Sequence, residues 1–134
     1  MEEKRVRDIM SRGIITSKFS ETLPNIAEIM VQENISTVVV VNQNDETVGI
    51  VSSLDIVKAF GEKTRTELRN ITAEEIMTPL VYNVNPEMTL KEVSNIMVIK
   101  HIHRVIVLSA DGRRKPVGVL SAKDIVKEVG KIHD

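Results

Sequence analysis

The sequence predicts an α+β protein made of two β-α-β-β-α repeats packed about a pseudo-twofold axis. Three observations predict it. First, the chain matches itself at a shift of 67 positions: Ile9-Met10 falls on Ile76-Met77, Thr22-Leu23 on Thr89-Leu90, and Val38 on Val105. After a two-residue insertion near Asp111 the shift becomes 69, so that Val48-Gly49 falls on Val117-Gly118 and Asp55-Ile56-Val57-Lys58 on Asp124-Ile125-Val126-Lys127. Two copies in preserved order are too few for a solenoid and indicate two like subdomains. Second, each copy carries a β-branched run with a glycine that meets Ser-x-x-Asp, at Gly49-Ile50-Val51-Ser52-Ser53-Leu54-Asp55 and Gly118-Val119-Leu120-Ser121-Ala122-Lys123-Asp124. That is the pattern of a strand running into a capped helix. Third, the unbroken Val38-Val39-Val40-Val41 marks a strand buried on both faces.

The elements run in order along each copy. Val6–Met10 is a short helical or irregular lead-in, and Ile14–Thr16 a brief strand. Thr22 caps a helix reaching Glu33, with Pro24 in its first turn and Leu23, Ile26, Ala27 and Met30 at helical spacing on one face. Thr37–Asn42 and Thr47–Val51 form a hairpin around Gln43-Asn44-Asp45-Glu46. Ser52 caps a second helix that Gly61 is expected to end. In the second copy Val81–Val84 is the short strand, Thr89 with Glu92 forms a capping box, Arg104–Leu108 and Lys115–Leu120 pair, and a last helix runs from Ala122 to Val129. The repeats divide as 1–61 and 73–134, with a charged linker at 62–72, helical or loop. A copy of about 60 residues buries only about 60% of its unfolded surface, so the two are expected to form one fused module.

Composition narrows the function. Of 134 residues, 42% are hydrophobic, and 18 basic against 19 acidic residues give a net charge of -1. This balance removes the bulk attraction of a dedicated nucleic-acid binder. No cysteine is present, which excludes disulfides, thiolate metal sites and cysteine nucleophiles. The opening Met-Glu-Glu-Lys-Arg leads into no apolar stretch and no run approaches a membrane span, so the expectation is a cytoplasmic protein without signal peptide or membrane anchor. Phe19, Phe60 and Tyr82 are the only aromatic residues.

The Ser-x-x-Asp junctions hold the candidate chemistry. A helix N-terminus presents free N–H groups and a positive dipole end, to which Ser52 and Ser121 add hydroxyls. The preceding glycine lets another body approach the backbone. The same Ser and Asp serve a plain capping box. Residue pattern leaves both readings open. His101 and His103, at i and i+2 on a strand, would face one way toward a metal, but no third ligand is evident, and no metal site is expected. Arg113-Arg114-Lys115 is a basic hairpin tip, the basis of an alternative reading as a nucleic-acid-associated regulator. Asn42–Glu46 lacks the length of a calcium loop. No nucleophile elbow or glycine-rich phosphate loop is present.

Asp8-Ile9-Met10 and Glu75-Ile76-Met77-Thr78, the two Thr-Leu helix starts, Ile102-His103-Arg104-Val105 and the two closing Gly-x-x-Ser-x-x-Asp motifs together resemble a tandem CBS-domain (cystathionine β-synthase domain) pair, from about Val6 to Val129. The resemblance implies a regulatory or sensor module, not an enzyme, with no required cofactor. It implies an adenosine-containing ligand (AMP, ADP, ATP or an S-adenosyl compound) in the cleft between the copies, a homodimer, and a separate regulated chain. Asp55 and Asp124 would accept the ribose hydroxyls, and His103-Arg104 would stand beside phosphate. Copy one has Ser36-Thr37 at those positions and Leu54 in place of Lys123, so the two sites differ and the one at Ser121, Asp124 and His103 is preferred. The opposite copy would wall each site: Ser11, Ile14 and Thr16 with Ile35 and Ser36 around Asp124, and Thr78, Val81 and Asn83 around Asp55. The adenine would lie between β-branched side chains such as Ile50 and Val119, with Tyr82 the one ring that stacking could use. The alternative from a different class is a ligand-free dimerisation scaffold.

Overall fold

Residues 3–133 are described by the computed structural model; Met1, Glu2 and Asp134, the outermost residues of the two repeats as divided in sequence, lie outside them. The elements are α1 (Val6–Ile9), β1 (Thr16–Lys18), α2 (Leu23–Glu33), β2 (Thr37–Val41), β3 (Thr47–Ser52), α3 (Ser53–Glu62), α4 (Arg65–Asn70), α5 (Ala73–Ile76), β4 (Thr78–Pro79), α6 (Leu90–Lys100), β5 (Arg104–Leu108), β6 (Pro116–Ser121) and α7 (Ala122–Val129). They gather into two compact units. One spans Ile15–Val81; the other joins the chain up to Ile14 with the stretch from Tyr82 onward. Each unit is therefore the body of one copy closed by the lead-in of the other.

A four-residue helix has too few internal hydrogen bonds to persist alone, so each lead-in is held by what it docks on. In the 15–81 unit, Ala73 and Glu74 of α5 donate to the carbonyls of Glu21 (2.8 Å) and Phe19 (2.9 Å), and Leu23 donates back to Ile71 (2.8 Å). Ala73 is fully buried in a core with Ile26, Met30, Val38, Val40 and Val51. In the other unit, Val6 and Arg7 of α1 donate to the carbonyls of Met88 (2.9 Å) and Pro86 (3.0 Å), and Leu90 donates to Lys4 (3.1 Å). Val6 is fully buried with Val84, Val93, Met97, Val105, Val107 and Leu120. Lys4 also pairs with Glu128 at 2.8 Å, which together with Lys131 holds that carboxyl below its ordinary range.

The 15–81 unit has one four-stranded sheet in the order β1-β2-β3-β4, with β1 parallel to β2 and the other pairs antiparallel. All of Val38 to Val41 is buried, as the unbroken valine run predicts. In the second unit the sheet is reduced to β5-β6, with Ser11 bridging Val119 where β4 bridges β3 in the other. The strand expected at Val81–Val84 does not form, and the reason is Tyr82. In copy one the amide of Val39 donates to the Ile15 carbonyl at 3.1 Å. At the matching position the amide of Ile106 donates instead to the Tyr82 hydroxyl at 2.8 Å. A side chain has taken the place of a backbone rung, and among the described residues the parallel pairing keeps only the bond from Leu108 N to Val84 O, 2.7 Å. The Tyr82 ring packs, partly buried, against the core of its own unit.

Other boundaries also shift. The first strand starts at Thr16 rather than Ile14. The helix α3 passes through Gly61 and ends at Glu62, capped by an extended Lys63. The linker contains α4, whose Thr64–Glu67 capping box explains helicity in a charged stretch without apolar periodicity. Thr22 precedes α2 as expected, but its side chain makes no cap bond; the Thr89–Glu92 box forms in full and holds the Glu92 carboxyl below its ordinary range.

Tyr82 is the only tyrosine, so tyrosinate absorbance reports on it alone. Burial pushes its phenol above the ordinary 10.0, against the opposing effect of the Ile106 N–H bond. Its folded value is raised, so its contribution to stability is fully present below about pH 10 and is lost as pH rises through the raised value. Alkaline titration of the folded protein is expected to give a midpoint above that of the urea-unfolded chain. Tyr82→Phe is expected to cost about 1–3 kcal/mol in denaturant unfolding, because the buried Ile106 donor loses its acceptor; an unchanged midpoint in both experiments contradicts the latch.

Candidate functional site

Both Ser-x-x-Asp junctions fold as capped helix starts. At Asp55, Oδ2 accepts the Ser52 backbone N–H (2.8 Å) and hydroxyl (2.9 Å), and the Asp55 N–H donates to Ser52 Oγ at 3.3 Å. At Asp124, Oδ2 accepts the Ser121 N–H (2.9 Å), and the Asp124 N–H donates to Ser121 Oγ at 3.2 Å. The capping box therefore exists in both copies, and it consumes one carboxylate oxygen in each.

The second oxygen distinguishes them. Asp55 Oδ1 accepts the Thr78 hydroxyl at 3.3 Å. The residue matching Thr78 in the other unit is Ser11, which bridges Val119 through its backbone, and among the described residues Asp124 Oδ1 accepts no hydrogen bond. Asp124 thus keeps a half-buried, unengaged carboxylate oxygen at the start of α7.

The flanking charge differs in the same way. The His103 carbonyl accepts the Ala122 N–H of α7 at 2.8 Å, and Arg104 stands opposite Ser121 in the β5-β6 register. With Lys123 next along the helix, three exposed basic or titratable side chains gather at this corner. In the 15–81 unit the same geometry is built from neutral residues: the Ser36 carbonyl accepts the Ser53 N–H at 3.0 Å, Thr37 stands opposite Ser52, and Leu54 is exposed.

The glycine of each motif has a structural reason. A Cβ at Gly118 would stand 2.6 Å from Met10 Sδ and 2.9 Å from Ser11 O; one at Gly49 would stand 2.7 Å from Thr78 O and 2.9 Å from Met77 Sδ. The body that approaches the backbone is the lead-in of the other copy, so the glycine no longer argues for a ligand. Its partner residues are the signal that sequence reading misses: Met10 and Met77 recur in the repeat beside Ser11 and Thr78.

The remaining residues divide between the two units. Thr16, Val39, Ile50 and Thr78 form one cross-strand row of the four-stranded sheet, with Thr16 and Thr78 at its two edges. Thr16, Ile35, Ser36 and Val81 belong to the 15–81 unit, whereas Asp124, Ser11, half-buried Ile14, exposed Asn83 and Val119 belong to the other. The structure brings Thr78 and Ile50 to Asp55, and groups Ser11, Val119, Ser121, His103 and Arg104 around the α7 start. Neither His103, which precedes β5, nor His101 lies on a strand. His101 ends α6 in the left-handed conformation (φ 55°), as Asn34 ends α2 (φ 53°), and no group of three or more metal-ligating side chains occurs among the described residues.

The model of the CBS domain matches twice, over residues 6–62 and 73–131. The chain belongs to the CBS domain family. Its repeats superpose on the CBS domain pair of protein MJ0100, described in complex with 5′-methylthioadenosine and S-adenosyl-L-methionine, with a TM-score of 0.80 at 29% identity over 96% of this chain and 98% of that one. The acetoin utilization protein AcuB of Vibrio cholerae, so named as a suggestion, aligns with a TM-score of 0.78 at 26% identity over 96% and 91%. Among curated sequences, an uncharacterized protein of Methanopyrus kandleri is 30% identical over 95% of this chain and 63% of its own length. L-aspartate semialdehyde sulfurtransferase of Methanocaldococcus jannaschii is 30% identical over 93% of this chain and 23% of its own. The CBS pair thus spans under two thirds of the first relative and about a quarter of the second. No helix among the described residues is long and apolar enough to cross a membrane.

The close packing at the motif glycines sets a stability test. Gly118→Ala drives a Cβ into the backbone of Ser11 and is expected to cost about 1–3 kcal/mol. Gly61→Ala, with nothing within 4 Å of its Cβ and a place inside α3, is expected to gain about 0.5–1 kcal/mol. Chemical denaturation of the two variants checks both signs; equal effects contradict the packing role.

Proposed function

We propose that the chain is a non-enzymatic regulatory module that binds an adenosine-containing ligand at the Asp124 corner and reports its presence to a separate partner chain. The observation that carries this reading is the unengaged Asp124 Oδ1 beside His103, Arg104 and Lys123. An ionised carboxylate with a free oxygen accepts from vicinal ribose hydroxyls. The helix start and the guanidinium suit a phosphate. Ser121 supplies the cap, Val119 an apolar wall and Ser11 the neighbouring backbone. At the Asp55 corner Ser52, Ile50 and Thr78 form the like arrangement without the basic groups. The ligands described for the MJ0100 pair support the adenosine class, and AMP or ATP suits the charge at Asp124. Ligand binding becomes a signal where it favours one arrangement of the protein over another.

The protein is further proposed to be a cytoplasmic homodimer. Val98, Ile99, Val126 and Val129 on α6 and α7, and Val31, Leu54, Val57 and Phe60 on α2 and α3, are all more than 60% exposed. Apolar helix faces of this extent favour burial against a like face. They also support the second reading, a ligand-free dimerisation scaffold. The net charge of -1 argues against nucleic acid as the main partner.

Calorimetric titration with AMP separates the readings. Asp124→Asn, which keeps an acceptor for the Ser121 N–H, is expected to weaken AMP by about tenfold or more through loss of a charge-assisted hydrogen bond, while Asp55→Asn leaves AMP unchanged. The reverse pattern overturns the site assignment. A dimer that gives no heat with AMP, ATP or S-adenosylmethionine is the scaffold.

A further inference from the structure

The outer helix faces of the two units are unlike, although the repeat makes them counterparts. In the 15–81 unit α3 carries Leu54, Val57 and Phe60, all more than 60% exposed and spaced three residues apart, so they form one row. Their counterparts on α7 are Lys123, Val126 and Val129. The two large apolar knobs, Leu54 and Phe60, thus belong to one unit alone. The other unit holds an open groove of ≈ 490 Å³ between α6 and α7, lined by Met97, Val98, Ile125 and Val126 with His101 and His103. Charge divides the faces in the same way. The helices α2 and α3 carry one basic residue, Lys58, against Glu28, Glu33, Asp55 and Glu62, and Glu28 stands about one turn before exposed Val31. On α6 and α7 the exposed Lys91, Lys100, Lys123 and Lys127 make no ion pair or side-chain hydrogen bond among the described residues. Glu92 and Glu128 on the same helices are already held, by the Thr89 cap and by Lys4 and Lys131.

We propose that Phe60 of one chain seats in the α6–α7 groove of a second copy, so that the α2–α3 face of each chain meets the α6–α7 face of its partner. The inference rests on the homodimer proposed above and adds which faces meet. In a twofold pair residue i touches j while j touches i, so each chain gives one Phe60 and receives one. A rigid aromatic side chain entering a pocket is the kind of anchor that dominates an interface. Identical faces match less well. The α6–α7 face against itself brings the unpaired lysines of both chains together and leaves its groove without a large knob. The α2–α3 face against itself gathers Glu28 and Glu33 of both chains. Crosswise pairing sets those carboxylates toward Lys91 and Lys127 instead. Complementarity of this kind selects the partner face and the register more than it adds affinity.

The chain has no cysteine, so an introduced thiol reports on its own position. Phe60→Cys and Val126→Cys are made in separate full-length chains. Each is treated with a short bis-maleimide, alone and after the two are mixed and allowed to exchange. Covalent dimer is expected in the mixture and in neither variant alone. Sedimentation equilibrium of the unaltered chain is expected to give a dimer, and Phe60→Ala to weaken it at least about tenfold, the effect of removing an interface anchor. Cross-linking in either variant alone, or a dimer that cross-links in no preparation, overturns the crosswise pairing and leaves the homodimer standing. A dimer indifferent to Phe60→Ala does the same. A monomeric unaltered chain removes the homodimer with it.

Discussion

At the two motif glycines the backbone of one copy touches the lead-in of the other with no room for a methyl group: a Cβ at Gly118 would reach within 2.9 Å of Ser11 O, and one at Gly49 within 2.7 Å of Thr78 O. This contact constrains each unit as a whole. It places Met10 and Met77 beside their sheets, sets the Ser11–Val119 bridge and the β3-β4 pairing, and brings Thr78 to Asp55. The lead-in helices are four residues long and have no stability of their own. Their docking buries Val6 and Ala73 completely, and each unit is complete only when it holds both sequence regions.

The two corners show how a duplicated scaffold comes to differ at its helix starts through few changes. Backbone and cap are alike, down to the carbonyl of residue 36 or 103 receiving the first helical amide. Thr78 against Ser11 decides whether the spare carboxylate oxygen is engaged. His103, Arg104 and Lys123 against Ser36, Thr37 and Leu54 set the charge around each corner. None of these exchanges touches a buried core position, so each changes the surface of its corner without a packing penalty.

Much of the fold is legible in the sequence because it is written in local rules. Ser52 with Asp55, Ser121 with Asp124 and Thr89 with Glu92 announce their helix starts through spacing alone, and Val38–Val41 announces a buried strand. Family membership is legible from motifs that recur in order. What escapes is non-local. The displaced strand at Val81–Val84 depends on one phenol reaching the Ile106 amide, which no periodicity records. The purpose of Gly49 and Gly118 depends on a partner segment some 30 residues downstream of one and more than 100 residues upstream of the other. Asp55 and Ala59 of α3 share a hollow with Ile71 of the linker and Glu75 of α5, a meeting across α4 that no local pattern records.

The exchange of lead-ins is tested most directly by thermal unfolding of two fragments followed by circular dichroism. Residues 15–81 contain a complete unit, with α5 and β4 in place on the body of copy one. Residues 1–61 contain that body with the lead-in that belongs to the other unit. A cooperative transition for 15–81 and none for 1–61 is the expected result. Equal cooperative melting of the two, or melting of 1–61 alone, would contradict it.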